Sequence, residues 1–186
     1  MPRRPWLPAD RFEPEAWLQA LTGATVAGVV SSDFESYVRF DDLPHGEPLH
    51  VLARIMSEHT GTPERCWFLV WEGYSLNAAA IAGDPVFPLD DRRFYVFRGE
   101  VAELVDLAQY LATAGLDEET LARLNADGPS DLPSKWWPED RAWVAGWHID
   151  AAYLVVGCSD VMAERLLELK SLGARPASRV DPLEWG

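Results

Sequence analysis

Between Arg65 and Glu72 the chain reads Cys-Trp-Phe-Leu-Val-Trp, six consecutive apolar residues with no polar interruption. In an extended segment successive side chains point to opposite faces. A strand made of these residues therefore needs apolar cover on both sides, which places it inside a sheet rather than at an edge. Any fold for this chain must supply two layers around that strand.

The rest of the sequence offers material for both layers. Residues 1–12 read as a proline-rich arm, and residues 13–21 as a short helix with Trp17, Leu18 and Leu21 on its apolar stripe. Residues 25–30 are β-branched and apolar and predict a strand, as do residues 36–40. Leu49, Leu52, Ile55, Met56 and His59 recur at helical spacing within residues 48–60, ahead of Gly61. Residues 73–91 carry Gly, Asn, Asp and Pro without a period and read as a long loop. A strand over 93–98 and a helix over 100–113 follow, the latter with Val101, Leu104, Val105, Ala108, Leu111 and Ala112 on one face. A shorter helix is expected over 117–125, opened by acids that complement its dipole.

Residues 128–140 contain Pro129, Pro133 and Pro138 and read as a structured loop. Residues 142–149 and 152–157 are two strands close enough to form an antiparallel hairpin turning at Asp150 and Ala151. Ser159 is placed to cap a helix that Gly173 ends, and residues 174–186 form a polar tail. With no βαβ alternation, repeat or linker, residues 1–186 are expected to form a single α+β domain, a mainly antiparallel sheet with helices packed on it.

Charge narrows the partners. The formal net charge is −14, and half of it falls in residues 100–131, where eight carboxylates face Arg123 alone. Such a chain has no means of exchanging counterions with a phosphate backbone, so nucleic acid is not an expected partner, and a basic protein is. No apolar run approaches the ~18 residues that span a bilayer, and the N-terminal residues lack the apolar core of a signal peptide. Cys66 and Cys158 sit in apolar runs without paired spacing. They read as buried free thiols in a reducing compartment, which makes the cytoplasm the expected location. Arginine outnumbers lysine fourteen to two, as in GC-rich bacterial coding sequences.

Chemical motifs are sparse. No phosphate-binding or dinucleotide pattern is present. Gly157-Cys158-Ser159 lacks the second glycine of a nucleophile elbow, and a capping serine explains it better. His45, His50, His59 and His148 are too scattered for a metal site, and neither a metal nor a cofactor is expected. Two groups remain as binding candidates. Trp136 and Trp137, with Arg141 beyond them on a proline-stiffened loop, could present aromatic faces to a ligand. His148 and Asp150, two apart on a strand, share a face and would form an acid–base cluster if Glu72 lay alongside. Trp143 and Trp147, flanking the small Ala145, read instead as core.

The runs at 66–74, 94–99 and 136–143, with His148-Ile149-Asp150, Tyr153 and Gly157, resemble an uncharacterised family of actinobacterial hypothetical proteins, over most of residues 20–170. That resemblance implies a lineage and no activity, cofactor or site residue. In size, acidity, element type and tryptophan content the chain is also similar to small immunity proteins of bacterial toxin systems, including the SUKH superfamily. This similarity implies binding of a cognate toxin; the leading expectation, from the acidic stretch 100–131 for steering and exposed aromatics for anchoring, is a non-enzymatic protein that binds and masks a basic partner. The alternative expectation is a small-molecule binding protein or enzyme with a pocket between the 73–91 loop and the Trp136–Trp137 loop.

Overall fold

The computed structural model describes residues 7–8, 12–13, 15–21, 24–72, 86–89, 92–106, 132–147 and 153–183. Among these residues nine strands form one sheet: β1 (Leu7–Pro8), β2 (Ser36–Phe40), β3 (Cys66–Trp71), β4 (Val86–Leu89), β5 (Arg92–Gly99), β6 (Lys135–Pro138), β7 (Val144–Trp147), β8 (Leu154–Cys158) and β9 (Arg175–Ala177). The order is β1-β5-β3-β6-β7-β8-β2-β9, and every pairing is antiparallel. The outer edge of β5 is shared, β1 pairing with Phe97 and Arg98 and β4 with residues 92–95. The chain is a single-domain α+β fold, as its element pattern predicts.

The double-sided apolar run does lie inside the sheet, flanked by β5 and β6. Cys66, Phe68 and Val70 face one core, together with helix α3 (Gly46–Glu58) and helix α4 (Asp160–Leu167). Leu69 faces the other, together with helix α1 (Ala16–Gln19) and helix α2 (Val26–Val30), with Trp67 and Trp71 packed at its margin. Leu49, Leu52, Ile55 and Met56 make the buried stripe of α3. Ser159 caps α4 by accepting from the Met162 N–H at 3.4 Å. A 3-10 turn over Val101–Glu103, closed by a capping box between Glu100 and Glu103, begins the helix predicted from residue 100; its continuation past 106 and the helix over 117–125 lie outside the described residues.

Five local expectations are corrected. Residues 26–30 form helix α2, not a strand. In Val-Ala-Gly-Val-Val, helical spacing brings Val26, Val29 and Val30 together on the buried side, so the run satisfies both periods. Tertiary partners decide between them. The Thr25 hydroxyl accepts from the Gly28 N–H (3.1 Å), and the first two helical N–H groups donate to carbonyls of Asp181 and Arg179 (3.0 Å each). The supposed polar tail thus supplies a cap, and before it β9 adds an edge strand to β2. The arm likewise contributes β1, and Phe12 packs 5.6 Å from the rings of Trp67 and Phe87. Residues 86–89 of the supposed 73–91 loop are strand β4; residues 73–85 lie outside the described set.

The fifth correction concerns Trp136 and Trp137, which belong to an interior strand rather than a loop. Strand β6 pairs Trp137 with Trp67 and Trp136 with Phe68 on one side, and Trp136 with Ala145 on the other. Proline stops a strand only where its missing N–H is needed, and Pro138 occupies the last position of β6. Trp136 is 0% and Trp137 2% exposed. Burying rings of this size contributes roughly 4–6 kcal/mol each at about 25 cal/mol per Å2, before entropy is counted. Met56 on α3 receives two indoles: Trp143 donates to its carbonyl at 2.9 Å and Trp136 to its sulfur at 3.4 Å. The small Ala145, 0% exposed, leaves room for the rings beside it.

Candidate functional site

The turn joining β6 to β7 is where the tryptophan-rich stretch meets its surroundings. Its three charged residues reach three different parts of the fold. Glu139 accepts from Arg98 at 2.6 Å and lies 3.2 Å from Arg65. Asp140 accepts from the Thr60 hydroxyl (2.8 Å), the Gly61 N–H (2.7 Å) and the Ala142 N–H (3.0 Å), tying the end of α3 to the turn. Burial alone would raise the Asp140 pKa. The N–H groups of Ala142 and Gly61 with the hydroxyls of Thr60 and Thr62 outweigh it and hold the carboxyl below its usual value.

Arg141 points to the opposite face of the sheet. Its guanidinium lies 4.6 Å from the Trp17 ring centroid, 3.3 Å from the Asp33 carboxylate and 3.9 Å from Glu15. Two backbone outliers accompany this contact. Arg141 has φ 53°, a left-handed turn conformation, and Ser31, the C-cap of α2, has φ 103° and ψ 156°, a region otherwise kept by glycine. Holding serine there costs about 1–3 kcal/mol. Three hydrogen bonds fix it: its N–H donates to Ala27 (2.9 Å), its carbonyl accepts from the Tyr37 hydroxyl (3.0 Å), and its own hydroxyl donates to Asp33 (3.0 Å).

A cleft of about 310 Å3 opens between α1 and α2, lined by Trp17, Ala20, Leu21, Thr25, Ala27, Gly28, Ser31, Ser32 and Asp33. Its volume is at the small end for ligand sites. The lining combines an indole, small side chains, hydroxyls and one carboxylate. The Arg141 Nε and the Trp17 Nε1 beside it are buried without a hydrogen-bond partner. The one charged group in the described lining is the Asp33 carboxylate, beside the hydroxyls of Thr25, Ser31 and Ser32.

Of the six residues singled out in the sequence, the four that are described do not converge on one site. Trp136 and Trp137 are core and present no face to solvent. Glu72 lies at the far end of β3 from the β6–β7 turn, exposed and 3.4 Å from Arg93. His148 and Asp150 lie outside the described residues. Of the expected pocket between the 73–91 loop and Trp136–Trp137, the tryptophan side is a buried strand rather than a loop, and residues 73–85 of the other side lie outside the described residues. Two of them touch the lining of the cleft: Trp137 meets the Trp17 ring edge-on at 5.3 Å, and Arg141 meets Trp17 and Asp33. Trp17 and Asp33 escaped sequence reasoning because more than one hundred residues separate them from Arg141; the polar triplet Ser31-Ser32-Asp33 between apolar runs was the available signal.

Cys66 and Cys158 are buried free thiols, and burial pushes both thiols up, Cys158 to about 12. Among the described residues no group of acids, histidines and cysteines could hold a metal, and no helix is long and apolar enough to cross a membrane. No protein-family model matches the chain, and no curated protein or solved structure matches it.

Proposed function

We propose that this is a non-enzymatic binding protein that masks a basic protein partner, in the manner of immunity-type proteins. The observation that carries the reading is how the chain disposes of its own positive charge. Arg39 and Arg175 meet Asp41, Arg54 meets Glu58, Arg65 and Arg98 meet Glu139, Arg93 meets Glu72, Arg141 meets Asp33, and Arg165 meets Glu168. Half of the sixteen lysines and arginines are thereby neutralised locally, while the carboxylate surplus that makes the net charge −14 is left to set the outer field. Exposed pairs of this kind add at most about 1 kcal/mol each to stability. Their larger effect is to leave no basic patch among these residues, which favours encounter with cationic surfaces and disfavours nucleic acid.

The test is association kinetics. The immobilised protein is offered host lysate at low ionic strength, the captured protein is identified, and its on-rate is followed from low to physiological salt. A basic partner whose on-rate falls steeply with salt is expected. A partner that is itself acidic, or an on-rate indifferent to ionic strength, refutes the reading.

A further inference from the structure

We propose that the cleft between α1 and α2 takes an arginine side chain of the basic partner, seating its guanidinium against Trp17 and the carboxylate of Asp33. The proposal rests on the masking function above and assigns it a recognition site. The chain already displays the required chemistry: the guanidinium of Arg141 sits over the Trp17 ring and beside Asp33. What is resident there does not exhaust the site. Two carboxylates, Asp33 and Glu15, share one cation, and their side chains remain 61% and 56% exposed. A second cation entering the cleft completes the charge balance.

The shape of the cleft agrees with that occupant. Ala20, Ala27 and Gly28 keep the walls low beside the indole, and Ser31, held in its glycine-like conformation, fixes Asp33 through its hydroxyl. A planar guanidinium can stack on an indole while donating to a carboxylate in its own plane. An ammonium has one compact charge and cannot do both equally well, so arginine is preferred over lysine. The strain at Ser31 is spent on positioning the acceptor before the ligand arrives, as is common where backbone outliers gather at binding sites.

N-acetyl-arginine amide is the probe, titrated calorimetrically against the intact protein, with the isosteric and uncharged N-acetyl-citrulline amide as its control. Saturable one-to-one binding in the millimolar range is expected for the arginine amide, with the lysine amide weaker and the citrulline amide silent. Asp33→Asn should weaken binding about tenfold or more, the loss of one charge-assisted hydrogen bond. Ala20→Trp, which fills the cleft from α1, should abolish it. Equal binding of the citrulline amide, or unaltered binding in both variants, overturns the proposal. If a variant melts early, amide shift mapping on the unmodified protein decides: perturbations centred on the Trp17 indole and residues 31–33 support the site, and perturbations elsewhere overturn it. Salt-steered capture of a basic protein without arginine amide binding would leave the masking function standing and remove this site, whereas amide binding without such capture would do the reverse.

Discussion

Replacing Gly157 with alanine tests how tightly β8 is set into the fold. Gly157 pairs with Tyr37 on β2 and with Val144 on β7, so its backbone is held by ladders on both sides. Its dihedrals are not of the kind that demand glycine. Space is the constraint: a Cβ there would stand 2.4 Å from Phe34 Cδ2, 2.9 Å from Cγ and 3.0 Å from Cε2. Ordinary carbon contacts lie near 3.5–4.0 Å, so the ring must retreat by about 1 Å. That displaces a half-buried Phe34 which meets Tyr37 edge-on at 6.4 Å. Overpacking of this kind costs about 1–3 kcal/mol, and the entropic gain of alanine over glycine returns about 0.4–1 kcal/mol. Gly157→Ala should therefore destabilise the protein by about 1–2 kcal/mol, or roughly 3–6 °C in melting temperature for a chain of this length. The decisive measurement is a double-mutant cycle by urea denaturation. Phe34→Ala alone should cost about 2 kcal/mol, and Gly157→Ala should be neutral or stabilising in that background, a coupling of about 1–2 kcal/mol. If Gly157→Ala costs the same with and without the ring, the steric account is refuted.

Other consequences can be checked in the same assays. The Asp140 carboxyl has a folded pKa below its unfolded value, so its stabilisation is complete above the unfolded pKa and disappears as pH falls through the folded one; Asp140→Asn should flatten the acid limb of a stability profile below about pH 4. A variant that keeps the full acid slope would show that other carboxylates dominate. Lys135 donates to the Val29 carbonyl at 2.6 Å, satisfying the C-terminal end of α2, and Lys135→Met should cost about 1–3 kcal/mol in urea because that acceptor is left unpaired. Cys66 and Cys158, buried and held protonated, should react with a thiol reagent near neutral pH only at the rate of unfolding; rapid labelling of the native protein would contradict their burial.

The tryptophan-rich stretch illustrates what can and cannot be read locally. Trp143 and Ala145 are legible as core because alternation assigns them to one face, and the structure buries both. Trp136 and Trp137 are not legible in this way: the prolines around them imply a loop, and nothing nearby in sequence announces that β3 and β7 pair with them from either side. Residues 26–30 failed for a different reason. Five apolar residues fit either period, and the choice was made by carbonyls from residues 179 and 181 and by Lys135, all remote in sequence.

By itself the sequence determined the fold class, the doubly covered strand β3, the stripe of α3, the capped start of α4, the buried thiols and the sign of the surface charge. These depend on local periodicity and composition, which short-range sterics and the hydrophobic effect enforce wherever a segment ends up. Tertiary structure alone decided which strands are neighbours, that Val26–Val30 is a helix, that Trp136 and Trp137 are interior, and that Arg141 meets Trp17 and Asp33. Each of those outcomes depends on contacts between residues distant in the chain, whose energies outweigh local preference only after the sheet has assembled.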